Sequence, residues 1–367
     1  MKYKLCTLGE LVKIKYGKNQ KKVQSEDGTI PIYGTGGLMG YATDALYDKP
    51  SVLIGRKGTI NKVHYVDHPF WTVDTLFYTE VNEKLVIPKY LYYLMSLLDL
   101  DSYNEGTTIP SLRTETLNRL KFDIPGLDYQ GKVLSVLEPI DKKIKLNEEV
   151  NKNLLKQAQT IFTEEFLSLD GIPEGWSESS LLGIANYING LAMQKFRPSD
   201  DEQGLPVLKI KELRQGSCDA NSERCSLSIK PEYIVHDGDV IFSWSGSLLV
   251  DFWCGGTCGL NQHLFKVTST DYDKWFYFAW TNHHLQKFTA IAADMATTMG
   301  HIKREELAKS RVLIPSNSDY ERIGGLLAPL YNLVISNRIE NSKLATIRDT
   351  LLPKLMSGEV DVSNLDL

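Results

Sequence analysis

Leu137-Glu138-Pro139-Ile140-Asp141-Lys142-Lys143-Ile144-Lys145-Leu146-Asn147-Glu148-Glu149-Val150-Asn151-Lys152-Asn153-Leu154 is followed, 190 residues later, by a second run of the same kind. That run reads Leu327-Ala328-Pro329-Leu330-Tyr331-Asn332-Leu333-Val334-Ile335-Ser336-Asn337-Arg338-Ile339-Glu340-Asn341-Ser342-Lys343-Leu344. In the first, Leu137, Ile140, Ile144, Asn147, Asn151, Leu154, Ala158 and Ile161 alternate three- and four-residue spacings, which is the seam of a heptad helix. Leu327, Leu330, Val334, Asn337, Asn341 and Leu344 repeat it. Each seam is too narrow to be buried alone, so the two are expected to pack on one another. An asparagine at a seam position finds its partner in one register only, which suits such pairing. The alternative is two separate amphipathic helices, each packed on its own domain.

Working outward, the same shift places Thr107-Thr108 on Thr297-Thr298, Arg113 on Lys303, Glu115 on Glu305 and Ile124-Pro125 on Ile314-Pro315. A shift of 188 places Ser51–Ile54 on Asp239–Phe242, Gly58 on Gly246 and Leu76-Phe77 on Leu264-Phe265. At 174, Leu8-Gly9 falls on Leu182-Gly183. The chain is two copies of one unit, too few and too long for a solenoid.

Each copy changes character once. Residues 1–126 and 171–316 mix glycine, tyrosine and β-branched runs such as Ser51–Ile54 and Thr72–Thr79 with turn signals at Asp27-Gly28 and Gly36-Gly37. Helical spacing appears near Lys89–Leu100. Residues 127–170 and 317–367 are helical, with Asp128 as a cap, Gly171 as a stop, and Pro139 and Pro329 beginning or kinking the main helices. The fold class is α+β: two mixed α/β domains joined by two long helices in an antiparallel coiled coil, with an internal pseudo-twofold repeat. From Pro139 to Glu165 a helix runs roughly 40 Å at about 1.5 Å per residue. That is close to one turn of B-DNA, about 34–36 Å.

An apolar fraction of 42% with 24% charged residues argues against disorder. Net charge is -5, which counts mildly against a nucleic-acid binder. Its distribution matters more: residues 1–65 carry ten lysines and one arginine against five acids, whereas residues 170–315 carry 14 bases and 18 acids. Met1–Cys6 has no apolar h-region and no stretch approaches about 18 apolar residues, so no leader or membrane span is expected. Five scattered cysteines fit reduced thiols and a cytoplasmic setting.

Enzyme motifs fail in detail. Gly126, Gly131 and Lys132 have phosphate-loop spacing, but Val133 stands where a hydroxyl is needed. Gly34-Thr35-Gly36-Gly37 begins a dinucleotide fingerprint that Met39 breaks. The chain has no Pro-Pro, hence no Pro-Pro-aromatic amino-methylation motif. The Asp141–Lys143 triplet is expected on a solvated helix face, and Cys254, Cys258 and His263 lack the paired ligands of a structural zinc site.

The helical block Lys132–Phe166 and the run Arg348-Asp349-Thr350-Leu351-Leu352-Pro353-Lys354-Leu355-Met356-Ser357-Gly358-Glu359 resemble the specificity subunits of Type I restriction–modification systems. Leu8–Leu11, Pro173–Trp176 and Gly106–Leu112 resemble the same family. Membership implies two target-recognition domains, each reading one half of a split DNA sequence, and two conserved helical regions that fix the spacer. Two modification subunits assemble around them, carrying S-adenosylmethionine and the methyl transfer, and restriction subunits join where present. The chain itself then has no catalytic residue, cofactor or metal. Met299-Gly300-His301 departs from Ile109-Pro110-Ser111, which leaves contacts in the second domain open.

Candidate DNA-binding residues follow from chemistry that grips phosphates and guanine edges. They are Thr107, Thr108 and Arg113 with their counterparts Thr297, Thr298 and Lys303, then Lys18, Lys21 and Lys22, and Arg56 with Lys57 before Gly58. In the second copy, Ser243, Trp244 and Ser245 occupy the loop matching Arg56-Lys57, and Lys195 and Arg197 form the nearest basic cluster. The competing readings are a nuclease or methyltransferase acting alone, and a coiled-coil scaffold whose end domains bind proteins.

Overall fold

The computed structural model describes residues 3–294 and 302–365, and the chain divides into two compact units. The first is Met1–Asp141 with Thr346–Leu367, the second Lys142–Ala345.

The first unit runs β1 (Tyr3–Thr7), α1 (Leu8–Leu11), β2 (Val12–Tyr16), β3 (Ile30–Gly34), β4 (Gly37–Ala42), β5 (Ser51–Gly55), β6 (Val63–Val66), β7 (Trp71–Thr72) and β8 (Leu76–Val81). Then come α2 (Pro88–Ser96), α3 (Thr114–Asn118), β9 (Lys121–Pro125) and the start of α4 (Leu127–Phe162). An antiparallel sheet is ordered β2-β8-β5-β6, a second is ordered β4-β3-β7, and β1 pairs with β9. β5 is buried along its whole length, as its run of β-branched and leucine side chains dictates. Leu134 and Leu137 of α4, and Leu352, Leu355 and Met356 near the C-terminus, complete the core around Tyr90 and Tyr93.

The second unit repeats the plan. It comprises the rest of α4 and a π turn at Thr163–Leu167, then β10 (Ser177–Ser180), α5 (Leu181–Ile184), β11 (Asn186–Asn189), β12 (Leu205–Leu208), α6 (Ile210–Gln215) and β13 (Arg224–Cys225). After these come β14 (Ile234–Val235), β15 (Val240–Ser243), β16 (Leu249–Phe252), β17 (Cys258–Leu260), β18 (Leu264–Thr268), α7 (Lys274–Asp294), α8 (Arg304–Ala308), β19 (Arg311–Ile314) and α9 (Asn317–Ser357), whose last turns from Thr346 belong to the first unit. The sheet β11-β18-β15-β16 matches β2-β8-β5-β6 strand for strand, and β10 pairs with β19 as β1 does with β9. An aromatic core of Phe162, Phe166, Phe276 and Trp280 fills this unit.

Several local expectations need correction. The alignment at 174 is one residue off. Leu8 donates its amide to Leu120 O and Leu181 its own to Ser310 O (2.8 and 3.1 Å), so Leu8 corresponds to Leu181 and Gly9 to Leu182. The leucine pair Leu181-Leu182 made the slip invisible in sequence. Pro139 does not begin its helix but lies inside α4, and Asp128 stands in the first turn beyond Leu127. A proline there removes one backbone bond at about 3 kcal/mol, which the buried flank of Leu134 and Leu137 offsets. Helix α4 closes through the π turn, before Gly171. The run Thr72–Thr79 is broken at residues 73–75, where the chain passes from β7 to β8.

Candidate nucleic-acid interface

In the first unit, β2 and β5 both pair antiparallel to β8, and Tyr16 and Ile54 both lie opposite Phe77. The loops that leave β2 and β5 therefore emerge at one edge of the sheet, beside Asp74-Thr75 at the start of β8. Thr75 O accepts from the amides of Arg56 and Lys57 (2.8 and 3.2 Å). Arg56 Nη1 donates to Asp74 O (2.8 Å), and its guanidinium stands 5.1 Å from the Tyr16 ring centroid. Lys18 N donates to Thr72 O (2.8 Å), on the segment just upstream.

The Gly106–Arg113 loop is fastened to this edge. Gly58 N donates to Pro110 O (2.9 Å) and Leu112 N to Arg56 O (3.0 Å). Asn104 Oδ1 gathers the loop by accepting from Gly106 N and Ser111 N (2.8 and 2.9 Å). A Cβ on Gly106 would stand 1.9 Å from Ile109 O, so only glycine permits this turn. Thr107 and Thr108 are left exposed, and Arg113, also exposed, has Nε 3.1 Å from Glu105. The structure thus brings together Arg56, Lys57, Thr107, Thr108 and Arg113, with Lys18 alongside. Lys21 and Lys22 are exposed one turn further on, where the chain leaves this edge to pair Gln24 with Ala42.

The second unit builds the corresponding edge differently. Ile302 N donates to Trp244 O (2.9 Å), the counterpart of the bond from Leu112 to Arg56. Trp244 stacks on Phe265 with centroids 5.5 Å apart, and its Nε1 donates to Asn189 Oδ1 (3.0 Å). Ser243 and Ser245 are buried rather than offered outward. Ser243 Oγ donates to Ser247 O (2.9 Å), and Ser245 Oγ is 3.1 Å from His263 Nδ1. These serines shape the loop; the side chain left partly exposed is Trp244. Lys195 and Arg197 are exposed, Arg197 lying 3.3 Å from Glu223. The Glu223 carboxyl is held below its usual range by Lys209 and Arg197. Lys303 is exposed at the start of α8, while Thr297 and Thr298 lie outside the described residues.

No helix among the described residues is long and apolar enough to cross a membrane. Cys254 and Cys258 are both buried, and His263 is turned towards Ser245 and Gln262. Sequence reading missed Tyr16, Asn104 and Asn189, and weighed His263 only as a zinc ligand. Only Asn104 left a signal, an Asx residue two positions before a glycine.

Along the helices of the second unit, α4 and α9 run antiparallel. Asn147 Nδ2 donates to Asn341 Oδ1 (2.8 Å) and to Glu340 Oε2 (2.7 Å), and Asn337 Nδ2 donates to Asn151 Oδ1 (2.9 Å). Asn341 Nδ2 reaches Ile144 O (3.2 Å), and Arg322 grips Glu165 with two bonds of 2.7 and 2.8 Å. Ile140, Ile144, Leu154, Leu330, Val334 and Leu344 are buried or half-buried. In the first unit Asp141 is no solvated group: Tyr93 Oη donates to it (2.5 Å), Arg348 Nη1 lies at 3.1 Å and Lys89 Nζ at 3.6 Å. Burial and Asp141 together push the Tyr93 phenol up.

The family model described as Type I restriction modification DNA specificity domain matches residues 2–156 and again 173–347. The MjaIX specificity subunit of Methanocaldococcus jannaschii is 25% identical over 346 residues, covering 87% of this chain and 80% of that protein. The HindI specificity subunit of Haemophilus influenzae is 19% identical over 373 residues, covering 79% and 81%. A crystal structure of a Type I restriction–modification S subunit from M. genitalium superposes with a TM-score of 0.64 at 15% identity, covering 97% of this chain and 96% of that one. With both copies of its repeat matched, this chain belongs to the Type I restriction modification DNA specificity domain family.

Proposed function

We propose that this chain is the specificity subunit of a Type I restriction–modification complex, with one half of a split DNA target read by each copy of the repeat. The observation that carries this reading is the recurrence, in both copies, of one loop-to-loop backbone bond at the end of the matching four-stranded sheet, from Leu112 N to Arg56 O in the first and from Ile302 N to Trp244 O in the second. In the first copy that edge bears Lys18, Arg56, Lys57, Thr107, Thr108 and Arg113. Cations and hydroxyls of this kind position a protein on phosphates, and arginine also reads guanine edges. In the second copy Trp244, Lys195, Arg197 and Lys303 take the corresponding role, joined by Thr297 and Thr298. Lys21 and Lys22 extend the first surface along the backbone.

The paired helices set the distance between the two half-sites, and two modification subunits dock on them. S-adenosylmethionine and methyl transfer belong to those subunits, and cleavage belongs to restriction subunits where they are present. The chain's net charge of -5 makes it a weak DNA ligand alone, so clamping by partners supplies further phosphate contacts.

The test is co-expression with the modification subunits in a host lacking the methylation, followed by methylome sequencing. Two short defined blocks around an undefined spacer support the reading. A stable complex that methylates nothing sinks it in favour of an inhibitory relative, and no complex at all favours a protein-binding scaffold.

A further inference from the structure

The hairpin joining β3 to β4 ends in an exposed apolar pair. Leu38 and Met39 retain 55% and 57% of their surface accessible. The pairing slips here: Tyr33 lies opposite Leu38 and Ile32 opposite Gly40, so Met39 is an extra residue, a β-bulge. Its Sδ occupies the space that a Cβ on Gly34 would need, 2.2 Å away. The missing side chain at Gly34 therefore seats Met39 in one place while leaving it open to solvent. Gly37, at φ +112°, closes the turn.

The position of this hairpin gives the pair its meaning. Val73 N donates to Tyr33 O (3.0 Å), at the hairpin end of β3. The next two residues, Asp74 and Thr75, hold Arg56 and Lys57 through their carbonyls. The hairpin and the basic loop thus spring from one three-residue segment, with Lys18 bonded to Thr72 just before it. An apolar tip beside cations suits a polyanion that also presents apolar surface, which is duplex DNA. Thioether and isobutyl groups gain nothing from phosphates. They suit a thymine methyl in the major groove or a base step opened in the minor groove. Among the described residues the second unit has no such hairpin: after β12, which pairs parallel to β17 as β3 does to β7, the chain enters α6 instead.

We propose that Leu38 and Met39 contact base edges of the half-site read by the first unit and help to set its sequence. This rests on the DNA-specificity reading. The test is methylome sequencing of cells expressing the full chain with its modification subunits, as wild type and as the double variant Leu38→Ser, Met39→Ser. Both side chains are exposed, so the variant's melting temperature is expected to match wild type. One or two base pairs of one block should lose about five- to a hundred-fold in discrimination, with the other block unchanged. An unchanged motif, methylated to the same extent, overturns the proposal. So does uniform loss of methylation with sequence preference intact in a variant that melts like wild type, an outcome that assigns the hairpin to phosphates or to a protein partner. Absence of any motif in the wild type is a different failure, that of the reading beneath.

Discussion

Asn147 and Asn341 are joined by one side-chain hydrogen bond of 2.8 Å inside the second unit, and Asn151 and Asn337 by another of 2.9 Å. Removing one partner strands the other in partly buried surroundings, so Asn147→Ala should destabilise by about 1–3 kcal/mol. Asn147→Val combined with Asn341→Val should cost less than the sum of the single changes, because no amide is then left unpaired. Urea midpoints of Asn147→Ala, of the two single valine variants and of the double variant check both statements. His284 offers a pH test. It is buried, with Nε2 donating to Arg311 O (2.8 Å), and burial pushes its imidazole down to about 4, the Arg311 carbonyl opposing. The unfolded chain binds this proton near pH 6.5 and the folded chain only near pH 4. Stability is therefore flat above about 6.5 and falls as pH drops towards 4, by up to about 1.4 kcal/mol per unit. Urea midpoints of His284→Gln measured at pH 7.5 and 5 should differ less than those of wild type.

Among elements, the loop Gly106–Arg113 carries the proposed DNA contacts of Thr107, Thr108 and Arg113. Because any Cβ at Gly106 collides with Ile109 O, Gly106→Ala must displace the Thr107-Thr108 turn. The turn lies outside the packed core, so DNA affinity in the assembled complex should fall several-fold while the melting temperature changes little. Lys57→Ala, in the neighbouring loop, should weaken binding equally on all sequences. If Lys57 meets a phosphate, the slope of log affinity against log salt falls by about 0.9, readable from binding isotherms at several salt concentrations. The heptad spacing made the helices legible, since seam side chains recur wherever a helix buries one stripe. The start of α4 was legible to one residue, Asp128 against Leu127, but the place of Pro139 within the helix was not. Pro139 signals a helix start locally, but tertiary packing of Leu134 and Leu137 extends the helix back to Leu127. The serine-flanked Trp244 loop was misread for a similar reason: burial of Ser243 and Ser245 follows from the fold around them, not from their polarity.

For the whole molecule, the prediction concerns modularity. Exchanging residues 171–316 for the equivalent segment of another family member should change one block of the methylated motif and leave the other intact, as methylome sequencing would read. The isolated chain should bind duplex DNA weakly and lose that binding with rising salt, because its charge is concentrated in the first 65 residues rather than in the total. By itself the sequence determined the twofold repeat, the α+β class, the seam residues and the basic stretches, because periodicity and composition are properties of neighbouring residues. Only the tertiary structure decided which loops share an edge. Tyr16 beneath Arg56, Asn104 binding its own loop and the Leu38-Met39 bulge beside Val73–Thr75 depend on strand pairings between residues far apart in the chain. Those pairings are set by burial of whole sheet faces, a quantity no local stretch of sequence carries.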